Sequence, residues 1–486
     1  MEPVARDRRW TLVAVCTTTF MLLLDITVVV VALPKIQVEL DASLTGLQWV
    51  VDAYSLTLAA LILTAGALAD RYGRRLLFIG GVVAFTFSSL LCGIAWNIAV
   101  LDVARGLQGV GGAALFATAL ALIGAEYRGP DMGGAIAVWG ATIGVAVASG
   151  PLVGGIITDA LGWRWVFFLN IPVGAFALWA ALTRMGESRD PGAMRVDPWG
   201  LVTSSAALFL IVFGVLRGNS EGWSSPLILG SLIGGALLLV AFVLVEHRQE
   251  RPMLDLSLFR SRTFVGVSLA TFCIGAGMFA LFPYLSIYLQ DVLGYSPLDA
   301  GLRFLPLTAF VFVVPLVMRR FAPGAPLRLV LTVGLVLVAV ALLLMHGLTV
   351  DSHWTALLPG LIVAGLGIGL ANPSIATAAL RAVDPSRTGM ASGINNSCRL
   401  TGVAVGVAAL GAVLENRISV SLASSLGARG SDLASTVAAT GTRAAANPAL
   451  VHPVTESFVS GLNTVLLVSC VVVAVGALAA GLLMRQ

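Results

Sequence analysis

Fourteen separate apolar runs, each long enough to cross a bilayer, leave this chain little choice of fold. A membrane-spanning helix takes about 20 residues of low polarity. Windows of that kind fall near residues 11–32, 48–69, 76–96, 99–122, 133–157, 164–183, 198–216, 226–246, 264–289, 298–318, 328–345, 355–380, 389–414 and 457–483. Charged residues make up only 11% of the 486 positions, against about 25% in a soluble domain. Lipid offers backbone groups no water, so each span must close its own hydrogen bonds as a helix. The expected class is an all-α polytopic membrane protein with 14 transmembrane helices.

Charge sets the expected orientation. The chain starts with a short basic segment (Arg6, Arg8, Arg9) and runs into an apolar stretch with no small-residue cleavage site, which reads as an uncleaved first span starting in the cytoplasm. An even span count then puts both termini inside. Loops and span ends assigned inside hold twenty arginines, and those outside hold seven Lys or Arg, as the positive-inside rule requires. The net charge of +4 therefore points to membrane orientation, with no nucleic-acid partner. One lysine, Lys35, against 28 arginines suggests a GC-rich bacterial genome, hence a bacterial inner membrane. The five cysteines fall inside spans without metal spacing, so no metal site is expected. The four histidines lie in loops, which argues against an intramembrane enzyme.

The chain repeats itself. Arg128-Gly-Pro-Asp-Met132-Gly-Gly-Ala135 follows the fourth span, and Arg387-Thr-Gly-Met390-Ala-Ser-Gly393 follows the twelfth. Each precedes a glycine-rich span, with Gly140 and Gly144 in one and Gly402 and Gly406 in the other. Spans one to six thus match spans nine to fourteen in the same orientation, a transporter layout with the site between the halves. The expected units are an N-terminal six-helix bundle over 1–185, an inserted helix pair with linkers over 186–250, and a C-terminal six-helix bundle over 251–486. An extracytoplasmic loop is expected at about 415–456.

Polar groups inside spans are expensive, which makes them functional candidates. Asp25 sits mid-span in Leu22-Leu-Leu-Asp25-Ile-Thr27, where a carboxyl could take up and return a proton, or pair structurally with another helix. Arg105 must find acceptors. Asp102, three residues earlier, shares its helical face, while Asp25 could be its partner across helices. Gln108, Asp52 and Arg399 complete the polar candidates. Asp52 reads as a helix-start residue near the outer end, and Arg399 as a side chain that snorkels to the inner surface. Gly66, Asp70, Arg71, Gly73 and Arg74 form a tight inner loop whose charges could lock onto a neighbouring helix end.

The fifth span, Gly140 to Gly155, is built from small residues. Gly140 and Gly144, like Gly150 and Gly154, are spaced for close helix approach, Gly155 adjoins them, and Pro151 bends the helix. It reads as the contact along which one half moves on the other. Trp139, Phe272, Phe279, Tyr284 and Phe310 are candidate linings of a substrate cavity.

Gly66 to Arg75 resembles the signature loop of the major facilitator superfamily. Leu101 to Gly112 resembles its fourth-helix arginine motif, and Gly140 to Gly155 the fifth-helix motif of its antiporters. Leu24-Asp25-Ile-Thr27 with Ala32-Leu33-Pro34, and Trp163-Arg-Trp165 through Asn170, Pro172 and Gly174, are similar to the fourteen-span drug/proton antiporter branch of the EmrB/QacA type. The resemblance implies the major facilitator fold, two six-helix bundles plus two inserted helices. It implies proton coupling at Asp25 and Arg105, an inner gate at Asp70 and Arg74, and an antiporter hinge at Gly150-Pro151. The implied function is a proton-coupled efflux transporter, not an enzyme, that exports small amphipathic or cationic drugs or antibiotics by alternating access. No cofactor is expected beyond the proton gradient. The expected partners are the substrate, protons and lipid. The protein is expected to be a monomer, with accessory export proteins as an open alternative. A dedicated exporter of one metabolite and a proton/substrate symporter are the competing readings. The second half departs from the family pattern: its loop Met318 to Arg328 lacks the acidic residue, and no acid lies deep in spans nine to fourteen.

Overall fold

The structure is a computed structural model that describes residues 8–127, 130–188, 198–248, 256–322, 324–383, 388–426, 434, 436–438, 441 and 448–484. Arg128 and Arg387, the first residues of the repeated segments, lie outside the described residues. Helices account for almost all of these residues, and no strand occurs among them. The α-helices are α1 (Arg8–Leu40), α2 (Leu44–Tyr72), α3 (Arg74–Gly93), α4 (Ile98–Glu126), α5 (Pro130–Ala160), α6 (Arg164–Phe168), α7 (Asn170–Arg184), α8 (Pro198–Glu221) and α9 (Pro226–Arg248). They continue with α10 (Arg262–Gly277), α11 (Phe282–Ile287), α12 (Pro297–Arg303), α13 (Leu305–Phe321), α14 (Leu327–Leu344), α15 (Leu358–Arg381), α16 (Thr388–Leu426) and α17 (Pro448–Leu483).

Twelve segments among the described residues are long and apolar enough to span a membrane. They coincide with twelve of the fourteen expected windows. The other two windows are occupied by α5, with 31 residues, and by α12 with α13, whose apolar part Leu305–Met318 is shorter. The ninth window is not one smooth helix. It breaks after Gly277 into a 3-10 turn at Phe279–Leu281, then α11, then a π turn at Tyr288–Val292. The stretch 415–456 is helical at both ends, because α16 runs on to Leu426 and α17 begins at Pro448.

The sequence signals the turns. Ser43 Oγ accepts from Gly46 N at 3.1 Å and Asn97 Oδ1 from Val100 N at 2.9 Å, capping α2 and α4. A single residue, Gly73, joins α2 to α3 at φ 125°, a conformation that a side chain makes costly. The structure adds a second reason for glycine there: a Cβ would meet the Glu187 carboxylate at 2.5–2.7 Å.

Three pairings place the site. First, α4 is gripped between α2 and α3, because Gly109 faces the Tyr54 carbonyl and Gly111 faces Phe85 N and Gly81 O without room for a Cβ. Second, α16 packs on α2 and α4, while α5 packs on α12, α13 and α15. Third, α8 pairs with α9 and lies across both α2 and α16. Most buried apolar side chains form one large cluster from residues 267–484 and two from residues 14–185, and two small clusters join α2 to α8 and to α9, α10 and α16. Ala376 and Leu380 of α15 join one of the two from residues 14–185.

Candidate functional site

Five helices converge on one buried polar cluster. α1 brings Asp25, α2 Tyr54 and the Val50 carbonyl, α3 Ser89, α4 Arg105 and Gln108, and α7 Asn170. Asp25 is 2% exposed and Arg105 1%. Arg105 Nη1 donates to Asp25 Oδ2 at 2.6 Å, and Gln108 Nε2 and Asn170 Nδ2 donate to Asp25 Oδ1 at 3.0 and 2.9 Å. The same two amides donate to Ser89 Oγ at 2.9 and 2.8 Å. Arg105 Nη1 also donates to Gln108 Oε1 at 2.6 Å and Nε to the Val50 carbonyl at 2.9 Å. Its guanidinium carbon lies 4.3 Å from the Tyr54 ring centre. Both carboxylate oxygens thus face donors only, an arrangement made for an ionised acid. Taking this charged pair out of water is tolerable because nearly every polar atom finds a partner.

The pairing settles which acid Arg105 takes. Its partner is Asp25, and Asp102 stays apart, partly buried with Oδ1 bonded to nothing described. Asp102 shares the helical face, but the guanidinium is drawn across the bundle to an acid that two amides already orient. Ser89 is a cluster member that sequence reasoning did not single out, and Asn170 entered there only as part of the motif that begins at Trp163. Asn170 was visible as a polar residue in an apolar run. Ser89 carried no signal, because serines are common in spans.

At one end of the bundle the Gly73 loop makes a second cluster. Arg74 Nε and Nη2 both donate to Asp70 Oδ1, at 2.9 and 2.7 Å. Asp70 Oδ2 accepts from the backbone N of Met390 at 2.7 Å. Met390 lies in the first turn of α16, so the carboxylate also faces the positive end of that helix. Glu187 accepts from Arg75 N and Leu76 N at 3.1 and 3.0 Å, capping α3. The sequence did not point to Glu187. Arg71 takes no part in the lock: it stacks on Tyr72, 5.2 Å from the ring centre. Gly66 lies close to Gly393 of α16.

Other expectations need correction. Asp52 does more than start a helix: its Oδ2 lies 3.8 Å from Nη1 of the buried Arg217, which ties α2 to α8. Arg399 does not snorkel. Its guanidinium lies over Phe116 of α4 and Trp139 of α5, at 5.5 and 5.9 Å. Gly150 and Gly154 do not face the other half. A Cβ on Gly150 would run into Thr27, and one on Gly154 would lie 3.1 Å from Val28 Cα, so this face packs on α1. Gly140 looks across to Pro373 of α15, and Gly155 faces open space. The surroundings of Gly144 and Pro151 lie outside the described residues, although α5 runs through both. Among the proposed cavity residues, Trp139 is buried and donates to Thr19 Oγ1 at 3.0 Å. Tyr284 donates to the Val407 carbonyl at 2.6 Å, Phe272 borders Gly402, Phe279 stacks on Phe282, and Phe310 packs against Gly365. Those four sit among residues 272–407, and none of their described contacts reaches Trp139.

The sequence model of the Major Facilitator Superfamily matches residues 15–407. The chain belongs to this superfamily. As a superfamily member it is a multi-pass membrane transporter of small molecules, and not an enzyme. It is 37% identical over 86% of its length to the multidrug resistance protein Stp of Mycobacterium tuberculosis, covering 78% of that protein. It is 35% identical to the tetracenomycin C resistance and export protein of Streptomyces glaucescens, covering 85% of this chain and 77% of the other. It is 38% identical to the puromycin resistance protein pur8 of Streptomyces alboniger, covering 84% and 82%. Among solved structures, the human organic anion transporter MFSD10 (TETRAN) aligns with a TM-score of 0.63 over 96% of this chain and 99% of that one. Their sequences are 15% identical, so the likeness concerns the fold alone.

Proposed function

We propose that this superfamily member is a proton-coupled antiporter of a bacterial inner membrane that exports small amphipathic drugs or antibiotics. Its fourteen spans form two six-helix bundles over 1–185 and 251–486 with an inserted pair between them, and both termini are cytoplasmic. It works as a monomer, and the proton gradient is its only energy source, without a cofactor. The export reading draws on relatives whose names describe multidrug, tetracenomycin C and puromycin resistance.

One observation carries the coupling: Asp25 is sealed with Arg105 in a cluster where every neighbour donates. A proton on Asp25 breaks the ion pair and sets an O–H against those donors. The protonated cluster therefore favours another packing, in which Asp25 leaves Arg105. A proton biases two states only by binding them differently, and this pair supplies that difference. The Asp70 contact to Met390 belongs to the state in which the Gly73 end is closed.

The test uses inverted membrane vesicles loaded by respiration, with ethidium and puromycin as probes. Wild-type uptake should collapse when the proton gradient is dissipated. Asp25→Asn should insert normally yet show no gradient-driven uptake of either compound. Undiminished uptake by that variant would refute the coupling role.

A further inference from the structure

Arg399 is a half-buried cation that the coupling mechanism does not use. It lies 11 residues into α16, about 16 Å along the helix axis. Its guanidinium rests over the rings of Phe116 and Trp139, which belong to α4 and α5. Nη2 donates to Asn396 Oδ1. Nε and Nη1 bond to no described group, and neither is sealed from solvent.

The surrounding groups already have partners. Asn396 Nδ2 donates to the Phe116 carbonyl at 3.2 Å, Asn395 Oδ1 accepts from Thr271 at 3.0 Å, and Trp139 Nε1 is held by Thr19. Asp25, Asp70 and Asp52 are paired with Arg105, Arg74 and Arg217, and Asp102, the acid of α4 without such a pair, stands 14 residues before Phe116, about 21 Å along the helix axis. No ion pair among the described residues includes Arg399. A charge out of bulk water normally finds a counter-charge. Here the protein places a planar fork of N–H donors where the α16 face meets α4 and α5, and supplies no acid to fill it.

We propose that Arg399 is a recognition group for an anionic function on the transported molecule, a carboxylate or sulfonate carried on an apolar ring system. The inference rests on the export reading above and narrows its substrate class. Two parallel N–H groups of a guanidinium match two oxygens of such an acid. The same charge repels a cation where the dielectric is low, so a cationic substrate should bind more weakly than an anionic one of the same ring size.

A dansyl series tests this at constant ring size: dansylglycine is an anion, dansylamide is neutral and dansylcadaverine is a cation. Binding is read by dansyl fluorescence on the purified full-length protein in detergent. Wild type should bind dansylglycine about tenfold more tightly than the other two. Arg399→Gln should erase that preference, leaving dansylamide binding unchanged, and Arg399→Lys should keep part of it. Equal wild-type binding of all three compounds overturns the proposal, and that comparison needs no variant. An equal loss for all three in Arg399→Gln overturns it too, since that marks a purely structural arginine. Binding in detergent needs no gradient. Failure of proton-driven export with anion preference intact therefore counts against the antiport reading alone.

Discussion

At the residue scale, Asp25 and Arg105 cannot be judged singly. Each is nearly inaccessible, and each has the other as its only counter-charge among the described residues. Removing one leaves the other buried and unpaired, which costs about 3–5 kcal/mol. Arg105→Gln and Asp25→Asn should therefore each lower thermal stability in detergent, Asp25→Asn the more, because the guanidinium left behind stays charged. Comparing both melting curves with that of wild type checks this, and wild-type melting in both variants would show that the pair matters little to folding. Both charged residues were legible in the sequence as polar side chains in apolar runs. Their pairing was not, since Asp102 on the same face competed for Arg105 on equal terms. That choice was made by Asn170 and Gln108, which hold the Asp25 carboxylate in place from two other directions.

At the scale of elements, the α1–α5 contact is the one the glycine spacing marked and misaddressed. Spacing of four shows which glycines share a face, but it carries no information on which neighbour that face meets. The structure turns Gly150 and Gly154 towards Thr27 and Val28, two and three residues beyond Asp25. The glycines thus set how closely α5 presses on the helix that carries the acid. Gly150→Val should destabilise the protein by about 1–3 kcal/mol through overpacking and should disturb coupling through α1. Gly155→Ala, which meets open space, should do neither. Melting curves of the two variants, with ethidium export beside them, test the difference. An equally benign Gly150→Val would mean that α1 and α5 are not tightly seated. The break in the ninth span at Gly277–Met278 was hidden by an unbroken apolar run, although Gly277 and Pro283, which has no N–H for the carbonyl of Phe279, mark it in the sequence.

At the scale of the whole molecule, the helical spans were readable because lipid imposes helix length and polarity directly. How the helix groups meet was not readable, because it depends on single hydrogen bonds such as Asp70 to Met390 N. That bond ties the loop after α2 to the start of α16. Asp70→Ala should loosen this end. In a cysteine-free background, a cysteine at position 392, where Ser392 is 0% exposed, reports the opening. An impermeant maleimide applied from the Gly73 side should label it about tenfold faster once Asp70 is removed. Unchanged labelling would show that the contact does not hold the end closed.

The central claim is that the Asp25–Arg105 pair converts proton movement into export. Proton flux shows this most directly, in proteoliposomes carrying an internal pH dye and an imposed ethidium gradient. Wild type should move protons against the ethidium flow. Asp25→Asn should move none while still binding ethidium. Proton counterflow in Asp25→Asn equal to that of wild type would contradict the account.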